Sequence, residues 1–205
     1  MSPSAIRTIS PQSGVAGRKM PCGLWKETLA VAEDYLSVCS WGPRGAPPPP
    51  PGPAAATMRR LAQDMERQHQ ASFLSICQTF LTHGGPDLCS SLRKVMEEMV
   101  GDGHLNWGRV VSLFTFTGLL VRLLREQKKP GLVLGQEASI HQGLAETIAD
   151  YLGEEKKDWL LENDGWEGFC KFSQVQSVSL ESSVKTALFA AAGVGLAGLT
   201  FLLVR

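Results

Sequence analysis

Through most of the chain, apolar residues return at steps of three and four, and each such stretch predicts a helix with one buried face. Between residues 24 and 39 the apolar face is Leu24, Thr28, Val31, Ala32, Tyr35, Leu36 and Cys39, with Glu33 and Asp34 opposite. From about residue 54 to 81, Met58, Leu61, Ala62, Met65, His69, Ser72, Phe73, Ile76, Cys77 and Phe80 form one continuous face. Thr82-His83-Gly84-Gly85-Pro86 ends that helix, and Asp87 is placed to cap the next, where Leu92, Val95, Met96, Met99 and Val100 repeat the spacing. A further helix over about 136 to 152 presents Ile140, Leu144, Ile148 and Leu152, supported by Ala145 and Tyr151. Two short helical pieces follow, about 156 to 162 and 166 to 172, hinged at Asp164-Gly165. No strand is predicted, because the alternating Val175-Gln176-Ser177-Val178 lacks flanking turn signals and reads as linker. The fold class is therefore all-α.

Two stretches depart from this one-sided pattern. Behind Asn106, the residues Trp107, Val110, Val111, Leu113, Phe114, Phe116, Leu119, Leu120, Val121, Leu123 and Leu124 fall on nearly every face. A helix apolar all round is buried in a protein or spans a membrane, and at roughly 1.5 Å per residue this one is long enough for either. Ser112, Thr115 and Thr117 interrupt it, and Arg122 and Arg125 enter while the periodicity continues, so it reads as a buried central helix with Asn106 as N-cap. Arg109 in its first turn faces the positive end of the helix dipole, which calls for a partner carboxylate. The second stretch, 186 to 204, carries no charge and lies between Lys185 and Arg205. Roughly 20 apolar residues cross a bilayer, so residues 185–205 are expected to form a tail anchor, with the rest of the chain facing the cytosol.

The remaining segments set the boundaries. Residues 1–23 are polar, scattered with Pro3, Pro11, Gly14 and Gly17, and free of acidic residues, and they are expected to be a disordered tail rather than a transit peptide. Residues 42–56, with five consecutive prolines from Pro47 to Pro51, are expected to be a disordered, solvated linker. That leaves a helical domain over 24–172, with 173–184 linking it to the anchor. Lys plus Arg equals Asp plus Glu at 20 each, so there is no general field to attract nucleic acid. The five cysteines form no CxxC pair, which fits reduced thiols and argues against zinc. Gly193-Val194-Gly195-Leu196-Ala197-Gly198 spells GxGxxG, but a dinucleotide site needs a strand before it and an acidic residue about 20 positions after it. Neither His69 nor His104 lies at nucleophile or metal spacing, and neither a phosphate loop nor a paired-carboxylate motif occurs. No catalytic residue, metal or cofactor is predicted, and the chain does not read as an enzyme.

Three segments carry a resemblance to a known family. His104-Leu105-Asn106-Trp107-Gly108-Arg109-Val110-Val111 resembles the first homology segment of the Bcl-2 family, and Asp158-Trp159-Leu160 through Gly165-Trp166-Glu167-Gly168-Phe169 resembles the second. Val31-Ala32-Glu33-Asp34-Tyr35-Leu36 is similar to the fourth. The tail from Val184 to Arg205 looks like the Mcl-type branch. The third segment, Met58-Arg59-Arg60-Leu61-Ala62-Gln63-Asp64, departs from the family pattern: Ala62 stands where a glycine is usual, and Gln63 stands where the signature aspartate is expected.

The resemblance implies a Bcl-2-like helical bundle around a buried central helical hairpin, with a C-terminal transmembrane helix and a surface groove for a partner's amphipathic helix. In that groove His69, Phe73 and Ile76 would supply one wall and Val95, Met96 and Met99 another. Arg109, Ser112, Leu113 and Phe116 would form the floor. Arg109 would pair with the incoming aspartate beside Asn106, and Gly108 would allow close backbone approach. The implied partners are the BH3 helices of pro-apoptotic relatives of the Bax, Bak, Bim or Bad type, and the implied role is anti-apoptotic, at the mitochondrial outer membrane or the endoplasmic reticulum membrane. Two other roles belong to the same fold. One is a membrane-permeabilising killer, and the other is a regulator of calcium release through the inositol trisphosphate receptor.

Overall fold

The structure is a computed structural model that describes residues 23–41, 46–83, 85, 87–101, 103–127 and 134–178, with the backbone alone at 134–137 and 175–178. The expected tail at 1–23 (apart from Gly23), the second half of the 173–184 linker, and the 185–205 anchor lie outside these residues. Among the described residues every regular element is helical. In chain order these are α1 (Gly23–Ser40), α2 (Pro53–His83), α3 (Leu88–Met99), α4 (Trp107–Glu126), α5 (Leu134–Ala149), a π-helical segment (Asp150–Glu155), α6 (Lys157–Glu162) and α7 (Gly165–Val178).

The core is organised around α4, which is buried from Trp107 through Val121. Its three interrupting hydroxyls are satisfied within the helix. Ser112, Thr115 and Thr117 donate to the carbonyls of Gly108, Val111 and Leu113 at 2.9, 2.8 and 2.9 Å, so each is buried without leaving a polar atom exposed to apolar neighbours. α4 is long and apolar enough to cross a membrane, but 83% of that window is buried inside the fold.

α2 lies along one side of α4. The Phe80 and Phe116 rings meet edge to face at 5.3 Å, and the Cys77 thiol points at the Phe116 carbonyl from 3.7 Å. α1 lies along another side, with Tyr35 edge-on to Phe114 at 6.0 Å. α1 also packs closely on α5, and α4 and α5 approach each other less closely than either approaches α1. The expected central hairpin is thus uneven. α4 is buried all round, whereas α5 buries Leu144, Ala145, Ile148 and Ala149 and leaves Gln142 exposed.

Several boundaries differ from the sequence reading, each for a local reason. α2 begins at Pro53, where the fixed φ of proline suits a first helical turn and its missing N–H costs nothing. The expected linker is therefore four residues shorter at that end. The Pro48 carbonyl also accepts a hydrogen bond from Arg59 Nη1 at 2.8 Å, so the exposed proline run is tied to α2. α2 is kinked at His69 (φ −122°, ψ 24°), which turns its second half, from Phe73 to Phe80, onto α4. α7 continues through Val178, so the first residues of the expected linker are helical. α3 is capped by Asp87, whose carboxylate accepts from the backbone N–H of Cys89 and Ser90. These bonds, with one from the Ser90 hydroxyl, hold the Asp87 carboxyl below the usual carboxylate range.

The π-helical segment was not anticipated. Its widened turn is marked by a hydrogen bond from the Lys156 N–H to the Tyr151 carbonyl at 2.9 Å. Gly153 in this turn sits directly on α1, where an added Cβ would stand 2.6 Å from Trp25 Cα. The Trp25 indole donates to Asp150 Oδ1 at 2.7 Å. The helix widens where the start of α1 docks.

Candidate functional site

The N-terminus of α4 gathers the residues singled out for binding. Asn106 caps the helix in an extended conformation, and its Oδ1 accepts from the Arg109 N–H at 2.9 Å. Trp107 is clasped from the far end of the chain by Trp159 at 4.8 Å and Phe169 at 5.1 Å between ring centroids. Trp166 completes the cluster and donates its indole N–H to Thr28 Oγ1 on α1 at 3.0 Å. This clasp brings the first and second homology segments together and fixes the direction in which α4 leaves Asn106.

Arg109 is 5% exposed. Its Nη1 donates to the His104 carbonyl, one turn upstream of the helix. Ser112 lies one turn further on and stands 3.3 Å from Met65 Sδ of α2. Leu113 and Phe116 continue the line and are buried, as are Phe73 and Ile76 on α2 and Val95, Met96 and Met99 on α3. These apolar side chains belong to one hydrophobic cluster. Gly108 is buried beside them, while His69, at the kink, and Asn106 are half-buried. A helix reaching this surface has first to uncover it.

Sequence reasoning missed what holds α3 in place. The Tyr151 hydroxyl donates to the backbone carbonyl of Met96 at 3.0 Å, and the guanidinium of Arg93 and the ammonium of Lys156 lie 5.6 and 5.4 Å from the Tyr151 ring centroid. Arg93 also pairs with Glu97 at 3.1 Å and reaches Glu155. Tyr151 was legible only as an apolar position, because its partner is 55 residues away. Burial, with help from Glu155 and Glu97, pushes the Tyr151 phenol up to about 12, so it stays a donor across the physiological range.

The chain's own third segment faces inward. Met58, Leu61, Ala62 and Met65 are buried, whereas Gln63 is exposed and Asp64 pairs with Arg67 on the surface of α2. Among the described residues no group of three or more His, Cys, Asp or Glu could hold a metal ion. The Cys77 thiol is raised by burial, which removes it as a nucleophile.

The model of "Apoptosis regulator proteins, Bcl-2 family" matches residues 58–166, the span from the third homology segment through Trp166. The chicken (Gallus gallus) anti-apoptotic protein NR13 is 38% identical over 188 residues, covering 90% of this chain and 99% of its own. The chain belongs to the Bcl-2 family. A more distant member, Bcl-2-like protein 10 of rat (Rattus norvegicus), is 28% identical over 155 residues, 73% of this chain and 80% of its own. Among solved structures, a complex of the zebrafish pro-survival protein NRZ with a Bad BH3 segment superposes with a TM-score of 0.64 at 51% identity, covering 73% of this chain and 93% of that one. The all-helical Bcl-2-like fold is therefore shared with a family member crystallised with a BH3 helix bound.

Proposed function

We propose that this chain is a survival factor that sequesters the BH3 helices of pro-apoptotic relatives. The observation that carries the reading is the likeness to NRZ, a pro-survival protein seen with a Bad BH3 segment, at 51% identity over nearly all of that chain. The groove has His69, Phe73 and Ile76 on one side, Val95, Met96 and Met99 on the other, and Arg109, Ser112, Leu113 and Phe116 below, with Asn106 and Gly108 at its end. The BH3 aspartate pairs with Arg109, whose guanidinium also reaches the His104 carbonyl. The chain acts from the cytosolic side of the mitochondrial outer or endoplasmic reticulum membrane, held there by residues 186–204.

A double-mutant cycle tests the groove. Wild-type and Arg109→Ala protein are titrated calorimetrically with a Bad-type BH3 peptide whose aspartate is intact or changed to alanine. Loss of one half of a buried charge pair should weaken binding by about 2 to 5 kcal/mol, against ~0 to 1 kcal/mol for a surface pair. The two changes should be strongly non-additive, and additive losses would show that the residues do not meet. Enforced expression in cells separates survival from killing: protection from a death stimulus is expected, and death without a stimulus would overturn the pro-survival assignment.

A further inference from the structure

The proline run between α1 and α2 is apolar, exposed and held in place. Residues 46–51 are all exposed, and residues 46–50 belong to neither helix nor strand. Each proline fixes its own φ at about −65°, and each of Ala46 to Pro50 is kept out of the helical region by the proline that follows it. What remains is the polyproline II conformation, with roughly three residues per turn and a length of about 15 Å from Pro47 to Pro51. Proline has no N–H, so the carbonyls of the run cannot pair within it and are acceptors for donors from elsewhere.

One guanidinium clamps the run to the bundle. Arg59 Nη1 donates to the Pro48 carbonyl at 2.8 Å, while its Nε donates to Asp34 Oδ2 on α1, also at 2.8 Å. The Arg59 and Asp34 side chains are only 15% and 10% exposed, so the bond that ties α1, α2 and the run together is shielded from solvent. Trp41, 44% exposed, lines the same cavity as Pro47 and extends the apolar surface toward α1. A flexible spacer would join α1 to α2 without fixing five rings in water. Here the proline sequence and the clamp both remove freedom from a segment that adds nothing to the core.

Preformed polyproline II segments are bound by aromatic-lined grooves, which lose little to ordering because the ligand is already extended. Such a groove takes prolines three apart along one edge, and here Pro47 and Pro50 share one edge while Pro48 and Pro51 share the next. Tyrosine and tryptophan suit the task, because each offers a flat apolar face to a proline ring and a donor to a carbonyl. Residues 46–53 carry no charge, so recognition of this run falls to aromatic surface instead of ion pairing. We propose that Pro47–Pro51 is a docking site for a partner protein that reads polyproline through tyrosine- and tryptophan-lined grooves, using none of the residues assigned to the BH3 groove.

The test is calorimetric titration of the full chain, in neutral detergent, with isolated SH3, WW and EVH1 domains, all of which dock proline-rich segments in aromatic-lined grooves. Wild type should bind at least one of them saturably, and the tightest binder identifies the type of groove. Pro48→Ala with Pro50→Ala leaves no two prolines of the run three apart, yet keeps the backbone carbonyl at position 48 that Arg59 holds. It should weaken binding by ~10-fold or more. Leu161→Ala removes an exposed apolar side chain on α6 and should leave binding unchanged, which separates the run from general apolar adhesion. The thermal midpoint of the double variant should match wild type, because the rings it removes are exposed. A peptide of residues 46–53, which needs no surrounding fold to adopt polyproline II, should displace the domain from the wild-type chain, a result independent of any variant's stability. No saturable binding of any of the domains, undiminished binding by the double variant, an equal loss in Leu161→Ala, or failure of the peptide to compete would overturn the site.

Discussion

Gly118 sets how closely α1 approaches α4. A Cβ at that position would stand 2.6 Å from both Cys39 Sγ and Tyr35 Cε1, and the Tyr35 ring is itself wedged edge-on against Phe114. Gly118→Ala gains about 1 kcal/mol in helix propensity but overpacks a site where such insertions cost about 1 to 3 kcal/mol. Tyr35 is buried and its ring already rests edge-on against Phe114, so the steric cost should win. The expected outcome is a lower urea midpoint with an unchanged slope, and a raised midpoint would mean that α1 yields at little cost. At this scale the sequence was informative where chemistry is local. Asp87 and Asn106 were readable as caps because their acceptors serve N–H groups within three residues. The position of Arg109 on the α4 face was readable too, from helical spacing. Its bond to the His104 carbonyl was not, since it depends on how the chain enters the helix.

Among the elements, α2 serves two incompatible uses. Its third-segment face is committed to the core through Met58, Leu61, Ala62 and Met65, so a killer role for this helix would require pulling it off α4. Even when released, it lacks the charge a groove arginine needs, because Gln63 occupies the aspartate position and Asp64 lies one helical step, roughly 100°, away. A peptide covering residues 54–73 should therefore bind the full-length protein poorly, and its Gln63→Asp form at least ~10-fold more tightly, as read by fluorescence polarisation. Equal affinities would show that the missing aspartate is not what limits this segment. The same helix shows where periodicity stops being informative. Apolar spacing runs unbroken through His69, so one continuous face was read across what is a kink. The π-helical turn was likewise invisible, because Ile148, Leu152 and their neighbours keep the step of four, while the widening follows from Gly153 and Asp150 meeting Trp25 more than 120 residues away. The extension of α7 through Val178 went unread because its last residues alternate like a strand and had no visible neighbours.

For the molecule as a whole, two stretches are apolar enough to cross a bilayer, and they predict opposite behaviour. α4 has its apolar surface covered by α1, α2 and the tryptophan clasp, with Ser112, Thr115 and Thr117 bonded internally. Exposing it to lipid would break those contacts and the Arg122–Glu66 pair for no gain in apolar burial, since lipid tails attract apolar side chains no better than a packed core does. The stretch 186–204 lies outside the described residues, and its assignment as the membrane anchor rests on its uncharged length. Deleting residues 185–205 should therefore release the protein from membranes into the soluble fraction with BH3 binding intact, because every residue proposed for the groove lies between His69 and Phe116. Fractionation after carbonate washing, followed by peptide titration of the soluble protein, checks both halves. A truncated chain that stays in the carbonate-resistant membrane would show that α4 or another helix inserts. A soluble chain that no longer binds peptide would show that the deleted segment helps to build the groove.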